Sequence, residues 1–329
     1  MNMILAGDIG GTETVLTLFQ ESQGGLQRMH DATYVSGEYP SLESILLQFL
    51  AGKSHGLLRA GCFGVAGPVI NGTCVTTNLP WTIDESTLAN TTGIPCIKLV
   101  NDLEAAAYGM LHLSPDEFRV LNPGTHPASQ GNIAVIAAGT GLGEAILYWD
   151  GTQFHAIATE GGHTDFASRT PQEIALFDYL HERYGGHVSY ERVLSGPGLY
   201  NVYAFLRHCE GVEEPAWLTE ELKRSDPSPT LSQMGLTGQE PLCQAALELF
   251  ATIYGAEAGN LALKCMSVGG VLVGGGIAPK ILPVMQNGSF MRGFTSKGRL
   301  APLLESLEVR VALNLEAPVL GAAHVAVCL

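Results

Sequence analysis

Two stretches of this chain share an arrangement that few folds accommodate: an apolar strand, a short glycine-rich turn carrying a hydroxyl, and a second apolar strand. In the first, residues 4–6 lead into Gly7-Asp8-Ile9-Gly10-Gly11-Thr12 and residues 15–19 follow. In the second, residues 133–138 lead into Gly139-Thr140-Gly141-Leu142-Gly143 and residues 144–148 follow. Apolar, β-branched runs around such a turn read as hairpins. Two hairpins of one design predict a duplicated fold, and 329 residues are enough for two lobes.

The turns also carry a chemical meaning. Glycines without a Cβ let successive backbone N–H groups converge on phosphate oxygens, and a threonine hydroxyl adds a donor. Either loop alone reads equally well as a plain tight turn, where Gly is the usual residue. Asp8 tips the balance, because a carboxylate beside a phosphate loop is repulsive unless it holds a cation, for Mg²⁺ usually through water. The familiar phosphate motifs are missing. Ala51-Gly52-Lys53-Ser54 ends like a P-loop, but Leu47 stands where the earlier glycine is required. Residues 139–143 lie between strands, with Glu144 where a dinucleotide fingerprint has its third glycine.

Elsewhere, residues 97–100 read as a strand running into Asn101-Asp102 and a helix-favouring run at 103–111, so Asp102 opens a helix, where Asp is a favoured cap. A buried strand is expected at 60–66 and another at 269–273, the latter entering Gly274-Gly275-Gly276. Helices are expected at 41–50, 171–184, 198–207, 242–266 and 318–329, with residues 211–240 an exposed connection or short surface helices. Packing of 318–329 back on the first lobe divides the chain into a small α/β lobe, 1–111 plus 314–329, and a large one, 112–313.

Charge and cysteine usage narrow the setting. A net charge of −15 repels nucleic acid and anionic membranes. It repels ATP as well, so a nucleotide site has to rely on backbone N–H groups and a bound cation. Seven scattered cysteines with no C-x-x-C pair read as reduced, buried thiols. No secretory signal is visible, and the longest apolar stretch, 268–277, is interrupted by five glycines and too short to span a bilayer. The expected setting is cytoplasmic.

Asp8 to Thr12, Gly139 to Gly143 and Gly274-Gly275-Gly276 resemble the two phosphate loops and the adenosine loop of the actin, hexokinase and heat-shock-chaperone ATPase superfamily. Asn101-Asp102, Glu160-Gly161-Gly162-His163-Thr164-Asp165-Phe166-Ala167 and Glu191-Arg192-Val193-Leu194-Ser195-Gly196-Pro197-Gly198 narrow the resemblance to bacterial-type glucokinases, over essentially the whole chain. The resemblance implies a two-lobed α/β fold of the actin/hexokinase type, built from duplicated RNase H-like domains, with ATP and sugar meeting in a cleft. It implies transfer of the γ-phosphoryl group of ATP to the 6-hydroxyl of D-glucose, with Mg²⁺. Gly7, Asp8, Ile9, Gly10, Gly11, Thr12, Gly139, Thr140, Gly141, Gly275 and Gly276 would then meet the nucleotide, with Asp8 on the metal. Asn101, Asp102, Glu160, His163 and Glu191 would meet the sugar, with Asp102 as catalytic base, in a homodimer. Where the family has Asn after Gly-Gly-Thr, this chain has Glu13.

Other readings fit less well. The repressor, open-reading-frame and kinase group resembles the chain at both phosphate loops, but it typically carries a cysteine-rich zinc element after a Gly-His pair. Here no cysteine follows His163 until Cys209. Its repressors also carry a DNA-binding domain ahead of the first loop, which here begins at Gly7. Kinases and phosphatases of anionic acceptors call for arginine, and the sugar set holds none. A nucleotide-gated ATPase has no need of Glu160, His163 and Glu191.

Overall fold

Strand β1 (Asn2–Ile9) is apolar on both faces, the pattern of a strand covered from both sides. In the computed structural model, which describes residues 2–22, 25–51, 56–76, 78–125, 130–224 and 226–329, the period of two is used in this way. Met3, Leu5 and Ile9 join one core cluster, and Ile4 and Ala6 join another on the opposite face. The P-loop-like segment at 52–54 lies outside the described residues.

Two compact units form, one from Met1–Pro115, Ala156–Ala158 and Asn314–Leu329, the other from Asp116–His155 and Thr159–Leu313. In the first unit, β1 is followed by β2 (Glu13–Ser22), β3 (Gly25–Val35), α1 (Leu42–Leu50) and β4 (Leu57–Val65). Then come the short strands β5 (Val69–Ile70), β6 (Thr73–Val75) and β7 (Thr82–Asp84), α2 (Glu85–Thr92), β8 (Cys96–Asn101) and α3 (Asp102–Met110). The main sheet has the order β3-β2-β1-β4-β8. β1 pairs antiparallel with β2 and parallel with β4, and β4 pairs parallel with β8.

The second unit contains β9 (Phe118–Pro123), β10 (Ile133–Ala138), β11 (Leu142–Trp149) and β12 (Phe154–Thr159). After them come α4 (Pro171–Tyr184), α5 (Gly196–Glu210), α6 (Ala216–Arg224), α7 (Pro227–Thr237) and α8 (Pro241–Cys265). β13 (Val271–Gly274), the short helices α9 (Leu282–Gln286), α10 (Ser289–Thr295) and α11 (Ala301–Ser306), and β14 (Glu308–Ala312) complete it. Its sheet has the order β12-β11-β10-β13-β14-β9. β10 pairs antiparallel with β11 and parallel with β13, as β1 does with β2 and β4. Apart from the extra edge strand β9, the second sheet repeats the order of the first, and β13 pairs parallel with β14 as β4 does with β8. The duplication expected from the two hairpins is thus present, in an α/β fold of two units.

Helix α8 is 25 residues long and apolar nearly all round, and most of it is buried in the core of the second unit. The chain then returns to the first unit as α12 (Ala317–Val327), which packs on α3. The two helices cross at small residues: a Cβ on Gly109 would strike the Ala317 carbonyl, and one on Gly321 the Ala105 carbonyl.

Several expectations need correction. The strand expected at 269–273 begins only at Val271, because Gly270 turns with φ +111°. Of the two readings offered for residues 211–240, an exposed connection or short helices, the chain takes the second, with α6 and α7. Helix α5 starts at Gly196, two residues early, since Ser195 caps it by accepting from the Gly198 N–H. Cys62, Cys74, Cys243 and Cys265 are buried, but Cys96, Cys209 and Cys328 are exposed. Strand β3 escaped sequence reading, because it is largely exposed and carries Arg28, His30 and Asp31 with no apolar alternation. No helix among the described residues is long and apolar enough to cross a membrane.

Candidate active site

The first glycine turn is closed by its own backbone. The Gly10 N–H donates to the Glu13 carbonyl at 2.9 Å, and the Ser36 hydroxyl donates to the Gly10 carbonyl at 2.8 Å. Gly11 lies against Asn78, where a Cβ would come within 2.8 Å of the Asn78 Cβ. Thr12 is exposed and free to face a ligand, and Glu13 is exposed beside it. Asp8 sits one strand position behind the turn, half-buried. Burial and the neighbouring Asp102 carboxylate push its carboxyl up to about 7.

Asp102 reaches Asp8 because the parallel strand β8 ends at Asn101, level with the end of β4 next to β1. The helix cap is Asn101, not Asp102. Its Oδ1 accepts from the Leu103 N–H at 3.0 Å and from the Glu104 N–H, while the Glu104 carboxylate accepts from the Asn101 N–H, a capping box. Its Nδ2 donates to the Gly67 carbonyl at 3.3 Å. Asn101 is 7% exposed, so its amide serves the fold first. Asp102, relieved of capping, is half-buried at the first helical position, with Oδ1 accepting from the Leu103 N–H at 2.8 Å.

In the second unit the Gly139 N–H donates to the Gly141 carbonyl at 2.8 Å, and the Gly139 carbonyl accepts from the Gly196 N–H at the start of α5 at 2.8 Å. Thr140 is exposed. Gly275, at φ +79°, lies so close to Ala138 that a Cβ would strike its carbonyl. That carbonyl accepts from the Ile277 N–H at 3.2 Å. The turn of Gly275 and Gly276 is therefore fastened to the residue that opens the second phosphate turn.

The same unit gathers three of the expected sugar contacts. His163 Nε2 lies 4.0 Å from Glu160 Oε2 and His163 Nδ1 4.0 Å from Glu191 Oε1. All three side chains keep access to solvent, at 55% for Glu160, 60% for His163 and 31% for Glu191. Glu160 and His163 flank a single 3₁₀ turn, Gly161–His163, and Glu191 stands on another, Tyr190–Arg192. At Gly162 a Cβ would strike the Leu142 carbonyl, so this turn is packed on the strand that leaves the phosphate loop.

A glucokinase family model matches residues 5–328. The chain belongs to the glucokinase family. It is 42% identical to a glucokinase of a Synechocystis sp., over 97% of this chain and 96% of that protein. It is 40% identical to a glucokinase of Trichormus variabilis, over 98% of both. Its structure is similar to that of a glucokinase from an Antarctic psychrotroph, with a TM-score of 0.85 and 28% identity over all of both chains.

Against this glucokinase framework, two acidic residues were given no role from the sequence. Glu144 and Glu257 are both buried in the second unit, at 2% and 0% exposure. The available signal was a lone carboxylate in each of two otherwise apolar segments, residues 142–149 and 249–259. Buried charges of that kind are rarely left without a partner.

Proposed function

We propose that this glucokinase-family chain phosphorylates D-glucose from ATP through the residues described above. The observation that carries the reading is His163 held between Glu160 and Glu191. Carboxylates and an imidazole accept and donate hydrogen bonds to hydroxyls, and no arginine stands among them, which suits an uncharged polyol and not an anion. Asn101 and Asp102 complete the proposed sugar contacts. With Oδ1 and one amide hydrogen committed, Asn101 has only the other hydrogen to offer. Asp102 takes the proton of the 6-hydroxyl as that oxygen attacks the γ-phosphorus. In a loose transition state the gain comes mostly from orientation and charge neutralisation, so proton removal by Asp102 comes late.

The residues at the first turn fit a divalent cation. Asp8 and Asp102 are half-buried carboxyls that repel each other, a set of hard oxygen donors whose mutual repulsion a cation relieves. Asp8 would hold Mg²⁺, which when bound offsets charge on the β- and γ-phosphates. With the Gly10 and Gly139 N–H groups held by the Glu13 and Gly141 carbonyls, the turns bind phosphate oxygens through the N–H groups of Gly11, Thr12, Thr140 and Gly141, and Gly275 and Gly276 admit the adenosine. We further propose a cytoplasmic homodimer. Its net charge of −15 disfavours nucleic acid and anionic membranes, and its seven cysteines are free thiols.

The test is ADP release by the purified protein with Mg²⁺ and ATP across a panel of hexoses. We expect release that depends on glucose and yields glucose 6-phosphate. ADP release independent of sugar would overturn the reading in favour of an ATPase.

A further inference from the structure

Glu144 leaves β11 pointing under the turn that carries Glu160 and His163. Its Oε2 lies against Gly161 so closely that no Cβ fits there, and its Oε1 is buried without a hydrogen-bond donor. The Glu144 carbonyl accepts from the Thr159 hydroxyl at 2.7 Å, and the same hydroxyl accepts from the Gly161 N–H at 3.1 Å. Glu144 thus touches the turn through both its side chain and its backbone.

Across from it, Glu257 of α8 comes within hydrogen-bonding reach of the Glu144 carboxyl. Glu257 is well supplied with donors: Asn260 Nδ2 at 2.7 Å and Lys264 Nζ at 3.5 Å. Asn260 Nδ2 also donates to Tyr190 Oη at 3.0 Å, and Tyr190 immediately precedes Glu191. Two buried carboxyls in contact cannot both stay ionised cheaply. Glu144, whose Oε1 has no such donor, is the carboxyl that holds the proton.

We propose that Glu144 is a positioning residue: protonated, it donates to Glu257, and this bond ties the turn of Glu160 and His163 to the turn of Glu191. The inference rests on the sugar role proposed for those three residues. Ionising Glu144 would set two buried anions against each other and loosen both turns, weakening glucose affinity more than ATP affinity.

Burial first and Glu257 second push the Glu144 carboxyl up to about 8, with Lys264 opposing. Tyr254 of α8 also faces Glu144, Tyr190 faces Glu257, and Lys297 and Arg169 lie beyond. For an acid raised in the fold, the stabilising contribution is complete below its unfolded value of 4.5. It is lost as pH rises through about 8.

The experiment compares the wild type with Glu144→Gln, whose amide donates to Glu257 at every pH. From pH 7 to 9 we expect the wild-type glucose KM to rise about tenfold and that of the variant less than twofold, with the ATP KM flat in both. Glu257→Gln removes the opposing charge and should flatten the profile too, which keeps the test open if the first variant folds poorly. Parallel profiles in wild type and variants would overturn the inference. A wild type inactive on glucose at pH 7 rejects the proposed function instead. The pair is then read from thermal stability, where the advantage of Glu144→Gln must widen from pH 5 to pH 9, and a constant advantage refutes it.

Discussion

Glu191 Oε2 accepts a hydrogen bond from the Leu142 N–H at 3.0 Å, so one carboxylate joins a proposed sugar contact to the second phosphate turn. A Cβ on Gly141 would lie 2.5 Å from that same oxygen. Gly141→Ala must therefore displace Glu191, the turn, or both. We expect kcat/KM to fall about ten- to a hundredfold for glucose and for ATP together, since small displacements of positioning groups carry losses of that order. Steady-state kinetics with each substrate varied would check this. A loss confined to ATP would show that Glu191 does not couple the two.

Asp102 is spared the capping role that Asn101 fills, so replacing its carboxylate leaves the start of α3 intact. Asp102→Asn should keep glucose binding measurable and the melting temperature close to wild type while turnover falls by about 10²–10⁴, the usual reach of a general base. Turnover near wild type would remove Asp102 from that role.

Glu160 is the most open of the two carboxylates beside His163. Glu160→Gln retains the size but loses an acceptor for a sugar hydroxyl. The glucose KM should rise at least severalfold more than the ATP KM. Equal effects on both constants would argue against a sugar contact.

His112, two residues past the end of α3, and His324 of α12 stack face to face at 3.3 Å between ring centroids. Burial lowers both, and His112 helps push His324 down to about 4. For a base depressed in the fold, stability is present above the unfolded value of 6.5 and is lost as pH falls towards 4. His324→Phe keeps a flat ring without a charge, so its melting temperature should gain on wild type as pH drops from 7 to 4.5. A gap that does not change with pH would mean that His324 takes up its proton alike in the folded and unfolded states.

Much of this protein is written locally. The two hairpins were legible because glycine turns between apolar runs need no distant partner. The same holds for α4, where Thr170 caps, Pro171 opens and Gly185 closes with φ +67°. The motifs around Glu160 and Glu191 were legible as strings, and they pointed to the family without any geometry. The duplication followed from the hairpins, though the edge strands β3, β9 and β12 did not, because exposed or isolated strands leave no clean apolar period.

By itself, then, the amino-acid order determined the turns, the main helices and the residue types available for binding phosphate and sugar, since these depend on neighbours along the chain. Only the tertiary structure decided that Asn101 and not Asp102 caps α3, that His163 stands between two carboxylates, and that Glu144 meets Glu257. Each of those outcomes depends on groups far apart in sequence brought into one low-dielectric interior or onto one pair of turns, where burial fixes which oxygen keeps a proton and which side chain is left free.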